Sequence, residues 1–488
     1  MLFNSLPFLI FFPIVLTLYF LFPYKFRWIL LLIASCVFYM YWKPEYIILL
    51  LIPTLVNYIA GITMSKAEDP LRRKTYLILS LASSLSVLFI FKYLHFIGES
   101  LNGLLQLFHI SYHLPLLNFL LPIGISFYTF KTMGYAIDVY RGVIKPEKHF
   151  GLFALYVTFF PQLLAGPIER AAHLIPQFYK KYDFEDRRVI DGLKLMAWGF
   201  FKKMVIADKV SIVVDQVYNH PTEYTGIPLI VATVFFAFQI YCDFSGYSDI
   251  AMGAAQLMGF NLMDNFNRPY SSKSVSEFWR RWHISLSTWF RDYVYISLGG
   301  NRVVRWRWYY NLFVTFLLSG LWHGANWTFL VWGALHGFYI LFSIWTQRER
   351  KKIVQWVHLD RLPAFHGALN VVITFTLICF GWIFFRAKSI SDAFYIVTHL
   401  FVGLGSLSHI KVSANNLFSL GLGRFDFYIV LVSIGLMELV HGIERKGDVR
   451  HLFSGKPILL RWTFYYLLIL FIIFFGAYDD QAFIYFQF

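Results

Sequence analysis

Charge is scarce in this sequence. Asp, Glu, Lys and Arg make up 15% of its 488 residues, where soluble globular domains carry about a quarter. With 58% apolar residues beside that shortage, disordered, collagen-like and coiled-coil readings are excluded. Cysteine is scarcer still: Cys36, Cys242 and Cys379 include no C-x-x-C pair. They cannot build a disulfide framework, a structural zinc site or an iron–sulfur ligand set, and redox chemistry is a poor reading. Also lacking are a G-x-S-x-G elbow, an H-E-x-x-H pair, a P-loop and a Rossmann glycine pattern. Serine-triad hydrolysis, zinc hydrolysis and nucleotide chemistry lose their support with them. His283, His323 and His336 have no nearby carboxylate at ligand spacing, so no metal is expected.

Apolar stretches of roughly membrane-spanning length recur from Leu6 to Tyr478, which makes this a polytopic membrane protein. The first run, Leu6 to Phe22, lacks a preceding Lys or Arg and a small-residue cleavage site, so it reads as a retained helix with the N-terminus outside. Further spans read as 28–42, 46–63, 76–97, 117–135, 204–218, 228–243, 308–320, 328–346, 369–385, 426–443 and 462–478. Segments 150–167 and 308–326 carry Gly, Pro, Asn and His and suit re-entrant or broken helices. The formal charge of +15 is scattered between spans, where it sets topology and meets anionic headgroups rather than nucleic acid. Lys and Arg cluster in 66–74, 141–148, 170–188, 347–352 and 444–461 and are absent from 98–116 and 219–227. The first group therefore reads as cytoplasmic, the second pair as external, and the C-terminal tail as extracytoplasmic. No repeat or long linker divides the chain.

Polar groups at bilayer depth are expensive, so each is a functional candidate. Four regions qualify. In Leu318 to Trp327, His323 sits between small and aromatic residues, with Trp322 and Asn326 beside it. A structural histidine and a functional one both fit. His336, in Leu335-His336-Gly337, reads as packing. The second region, Phe278 to Tyr293, has no Pro or Gly and reads as one helix, which stacks Trp279, His283 and Ser287 on one face. An interfacial helix snorkelling its arginines is the other reading. The third, Tyr241 to Asp249, offers Asp243 and Asp249 as partners for Arg280 and Arg281, a bracing role favoured over acid–base work. The fourth, Phe160 to Arg170, has a Pro-Gly-Pro rhythm that bars a regular helix and places Glu169 and Arg170 at the mouth of a re-entrant wall.

A dry, neutral imidazole can take a proton from an alcohol, and a base so placed contributes about 10²–10⁴ in rate. A thioester needs little more than a donor near its developing oxyanion, a place that His283, Asn326 or backbone amides could fill. Acyl transfer suits these residues.

Taken in order, Leu121 to Phe130, Asp138 to Gly142, Pro161 to Arg170, Tyr241 to Asp249, Phe278 to Asn301 and Trp322 to Trp327 closely resemble the bacterial branch of the membrane-bound O-acyltransferase (MBOAT) family. Within it they are most similar to the AlgI-like proteins of alginate O-acetylation. The resemblance implies an all-α fold of about 11–12 membrane helices plus re-entrant or broken segments around a central tunnel. It implies one domain over 1–488, with its core at about 117–346 and a C-terminal extracytoplasmic motif at 483–488. It implies that His323, in its Trp-His-Gly setting, is the catalytic base and that His283 is the second polar residue. It also implies acetyl-CoA as donor with no bound cofactor, an extracytoplasmic SGNH-type esterase-like partner, a polysaccharide as final acceptor, and residence in a bacterial inner membrane. Phe483, Tyr485 and Phe488 match a Phe-x-Tyr-x-x-Phe motif associated in this branch with carrying the acyl group, which would make Tyr485 a covalent relay. An aromatic interfacial belt is the alternative for these three. Peptidoglycan acetylation or teichoic acid D-alanylation by the same fold remains open, as does a polymer exporter that makes no bonds.

Overall fold

The computed structural model describes residues 1–110, 121–164, 166–405, 417–445, 455–478 and 483–486. Leu117 to Leu120 at the start of one expected span, Ala165 of the fourth region, part of the basic segment 444–461, and Phe488 lie outside the described residues. The protein is all-α, with no strand among the described residues. Seven helices among them are long and apolar enough to cross a membrane: Pro44–Lys66, Pro70–Leu107, Ile227–Leu257, Trp327–Trp345, Pro363–Arg386, Arg424–Glu444 and Ile458–Phe475. Among the described residues, one shorter apolar helix, Leu6–Leu21, is also present.

The chain divides into two compact units. The first comprises Met1–Leu193, Ala251–Met263 and Tyr485–Phe488. Helices Pro44–Lys66 and Pro70–Leu107 are joined through a polar strip, since lipid supplies no hydrophobic drive between spans and small or hydroxyl residues can provide the contact. The Asn57 side-chain amide donates to Ser84 Oγ at 2.9 Å, and the Ser80 hydroxyl donates to Asn57 Oδ1 at 2.6 Å. Helix Phe150–Thr158 ends at Phe159, and a short helix, Phe160–Leu163, follows. The break expected from Pro161 is therefore present. Its freed backbone finds side-chain partners: Phe160 N donates to Ser35 Oγ at 3.0 Å, while the Gln162 amide donates to the Tyr156 carbonyl at 3.0 Å.

The second unit comprises Lys194–Ile250 and Asp264–Ile484. Two expectations change here. The 308–326 stretch is not broken: Arg305–His323 is a continuous helix, and its glycine serves packing rather than a kink. The span expected to end at Asp243 runs on to Leu257. Asp243 and Asp249 do not stop it because Lys203 and Lys202 neutralise them within the protein. Ile458–Phe475 is the reverse case, with mean hydropathy 2.2 and no fully buried residue, although Phe471 and Phe475 rest against Phe201 and Phe425.

Candidate functional site

Helices Arg305–His323 and Trp327–Trp345 form a tight antiparallel hairpin in the second unit. Glycines make the approach possible. A Cβ on Gly333 would lie 2.5 Å from the Phe316 carbonyl and 3.2 Å from Gly320 Cα, and one on Gly320 would collide with the Phe329 carbonyl. The first helix ends at His323, so the imidazole sits at the hairpin's turn. Asn326 caps the second helix: its Oδ1 accepts from Thr328 N at 3.0 Å, and its Nδ2 donates to the Lys388 carbonyl at 3.2 Å. That engages both ends of the amide expected to serve an oxyanion. His323 is 3% exposed, ringed by Trp322, Trp332 and Phe385 at centroid distances of 4.9, 5.0 and 5.3 Å.

The helix expected over 278–293 is interrupted. Val275–Arg281 ends, Trp282 is extended, and His283 takes a left-handed backbone conformation at φ 43° before Ile284–Phe290 begins. A non-glycine residue there costs about 1–2 kcal/mol and persists only where its surroundings enforce it. Asn265 provides the enforcement: its carbonyl accepts from Ile284 N at 2.9 Å, and its side-chain oxygen accepts from the Ser285 hydroxyl at 2.9 Å. Trp279 and Ser287 therefore no longer share a helical face with His283. The reversal sends the imidazole inward, where it is fully buried against Phe244 (centroids 4.6 Å) and 6.5 Å from His323. Trp322 touches both rings, at 6.1 Å from His283 and 4.9 Å from His323. The two histidines singled out in the sequence are thus neighbours in space.

His336 has the packing role expected. It is fully buried, its Nδ1 accepts from the Trp279 indole N–H at 3.2 Å, and its ring lies 4.8 Å from that of Trp332.

The expected pairing of Asp243 and Asp249 with Arg280 and Arg281 is replaced. Asp249 pairs with Lys202 at 2.6 Å, and Lys203 lies 2.8 Å from both Asp243 and Asp208. Arg281 instead pairs with Glu277 one turn back at 2.6 Å, and Arg280 is exposed. Glu169, expected at a mouth, is 1% exposed; it pairs with His173 at 2.7 Å and accepts from Met263 N. Sequence spacing could not reveal the pairings with Asp243 and Asp249, since Lys203 and Lys202 stand forty or more residues from them and look like an ordinary charged break. Asn265 was invisible for the same reason.

Of the C-terminal motif, Phe483 is fully buried with its ring 4.9 Å from Tyr247 and 5.5 Å from Phe244. Ile484 N donates to Asp243 Oδ2 at 2.7 Å. Tyr485 lies in the short turn Ile484–Phe486.

Two buried imidazoles beside a Trp-His-Gly turn are accompanied by similarity to known proteins. The profile of the membrane-bound O-acyltransferase family matches residues 147–387, which contain both histidines. A probable alginate O-acetylase, AlgI, of Pseudomonas aeruginosa is 41% identical over 441 residues, covering 90% of this chain and 82% of the relative. The chain belongs to the membrane-bound O-acyltransferase family. As an MBOAT protein it is an O-acyltransferase with a multi-pass membrane fold. Other MBOAT relatives carry different cargo in their names. A peptidoglycan O-acetyltransferase of Helicobacter pylori is 34% identical over 79% of this chain and 76% of its own length. A teichoic acid D-alanyltransferase of Bacillus subtilis is 28% identical over 60% of this chain and 78% of its own.

Proposed function

We propose that this MBOAT protein takes an acetyl group from cytoplasmic acetyl-CoA and passes it across a bacterial inner membrane for O-acetylation of an extracytoplasmic, alginate-like polysaccharide. The observation that carries the reading is the pair of buried imidazoles, His283 and His323, 6.5 Å apart. That distance is between ring centroids and is comparable to two hydrogen-bond reaches of about 3 Å each, so one ring can act on a hydroxyl while the other steadies the carbonyl oxygen under attack.

In this scheme Tyr485 is the acceptor. His323 takes the hydroxyl proton as the phenol oxygen bonds to the acetyl carbon; the carbon–sulfur bond breaks, and the departing thiolate recovers the proton from His323 as free CoA thiol. His283 donates to the thioester oxygen as it gains charge, with Trp322 holding the two rings in place. The acetyl ester on Tyr485 then passes to an extracytoplasmic SGNH-type partner, which places it on sugar hydroxyls. The identity with an alginate O-acetylase supports the cargo, and the basic loops support an extracytoplasmic C-terminus.

The test is transfer of radiolabel from acetyl-CoA to the purified protein with no acyl carrier protein present. Covalent label in the wild type, lost in His323→Ala and in Tyr485→Phe, is expected. A folded, donor-saturated sample that takes no label overturns the scheme, and turnover that requires an acidic carrier protein would transfer the reading to D-alanylation.

A further inference from the structure

Asp243 sits in an arrangement that the acyl-transfer chemistry leaves unused. Its Oδ1 lies 2.8 Å from Lys203 Nζ, which is also 2.8 Å from Asp208 Oδ1, and all three residues are 2–3% exposed. Buried ion clusters are weak contributors to net stability, because desolvation offsets most of their attraction. Fixing a geometry is their better-attested use. The other oxygen of Asp243 accepts the backbone N–H of Ile484, 241 positions away along the chain. Hydrogen bonds to a charged acceptor are roughly twice as strong as neutral ones.

The same place holds the tail a second time. Phe201–Ala207 is a stretch of π-helix, a form that occurs frequently at functional sites. The Met204 carbonyl within it accepts from Ala477 N at 2.9 Å, just beyond the last membrane helix. Lys203 is the neighbouring residue, and Gly246 lets the crossing helix come close: a Cβ there would lie 2.7 Å from the Gly199 carbonyl and 3.1 Å from Lys203 N. Between the two backbone captures, Phe483 is inserted against Phe244 and Tyr247, and Phe244 in turn lies against His283.

We infer that Asp243, held by Lys203 and Asp208, is a positioning residue that latches the C-terminal tail by its backbone and so presents Tyr485, the next residue after Ile484. This rests on the reading of Tyr485 as acyl carrier. Both captures use backbone N–H groups, so neither hydrogen bond depends on the identity of the side chain at 477 or 484. The carboxylate is required as an acceptor, not as an acid or base.

Hydrogen–deuterium exchange of the C-terminal peptide in the full-length protein, run beside labelling from acetyl-CoA, tests the latch. Asp243→Ala should speed exchange of the Ile484 amide about ten-fold or more and slow labelling by a similar factor, with KM for acetyl-CoA unchanged. Asp243→Asn keeps an acceptor oxygen and should restore most of both. Ile484→Pro deletes the donor while leaving the charge cluster intact, so it should loosen the Tyr485 and Phe486 amides and slow labelling even if Asp243→Ala fails to fold. Wild-type exchange in both disruptive variants overturns the latch, and so does a loosened tail with full labelling. A wild type that never takes label refutes the acyl-carrier reading, while the exchange data still decide whether Asp243 holds the tail.

Discussion

The rings of His283 and His323 lie 6.5 Å apart, one at a left-handed break between two short helices and the other at the turn of a hairpin. Neither position is set by the other's local sequence. Their meeting is a product of tertiary packing around Trp322, Phe244, Trp332 and Phe385.

Loss of the base should be a loss of rate and little else. His323→Ala is expected to lower acetyl transfer by about 10²–10⁴ while leaving thermal unfolding in detergent within a few degrees of wild type. A variant that keeps its rate within ten-fold refutes the assignment.

Backbone and side-chain roles of His283 can be separated. Asn tolerates the left-handed conformation, so His283→Asn should fold and yet transfer slowly; His283→Val adds a β-branched clash worth about 1–2 kcal/mol and should unfold earlier than the Asn variant. Equal melting temperatures for the two would show that φ 43° at this position carries no strain.

The hairpin crossing leaves no room for side chains. Gly333→Leu should cost about 1–3 kcal/mol through overpacking and also impair transfer, because the displaced turn carries His323. Thermal melting and the labelling assay report the two effects independently.

One interaction outside the spans makes a pH prediction. The hydrogen bond from His173 to Glu169 raises the histidine's pKa above its ordinary value, against the opposing effect of burial. A group raised on folding contributes stability that is fully present below the unfolded value of about 6.5 and is lost as pH rises through the folded value. Melting temperature should therefore fall across that window on the alkaline side, and His173→Gln should flatten the slope. An unchanged slope in the variant assigns the pH dependence to another group.

Topology is open to thiol chemistry, since Cys242 and Cys379 are buried and Cys36 is half-buried. An impermeant maleimide should label Thr222→Cys in intact cells and reach Lys351→Cys only after permeabilisation; both positions are exposed in the structure. The opposite pattern inverts the orientation read from the basic loops.

Much of this was legible in the sequence because bilayer physics is demanding. Long apolar helices, the break at Pro161, and the exceptional status of His283 and His323 follow from what hydrocarbon excludes, whereas the tail stood out only by its resemblance to a family motif. The reversal at His283 was not legible, because nothing in Phe278 to Tyr293 forbids a helix and the enforcing Asn265 lies in a distant loop. Asp243 was seen but given the wrong partner: Arg280 and Arg281 were chosen as conspicuous arginines in the neighbouring polar region, whereas Lys203 is brought to it by a glycine-lined helix crossing that spacing cannot express.

The helix Ile458–Phe475, none of whose residues is fully buried, is followed directly by the segment whose Ala477 is hooked to Met204. At 1.5 Å per residue its 18 residues reach about 27 Å, slightly less than the hydrocarbon thickness of an average bilayer, roughly 30 Å. A thicker bilayer therefore stretches the anchorage of the tail and a thinner one slackens it. Acyl-chain length of the host lipids becomes a mechanical input to the enzyme, acting on the chain end rather than on the histidines.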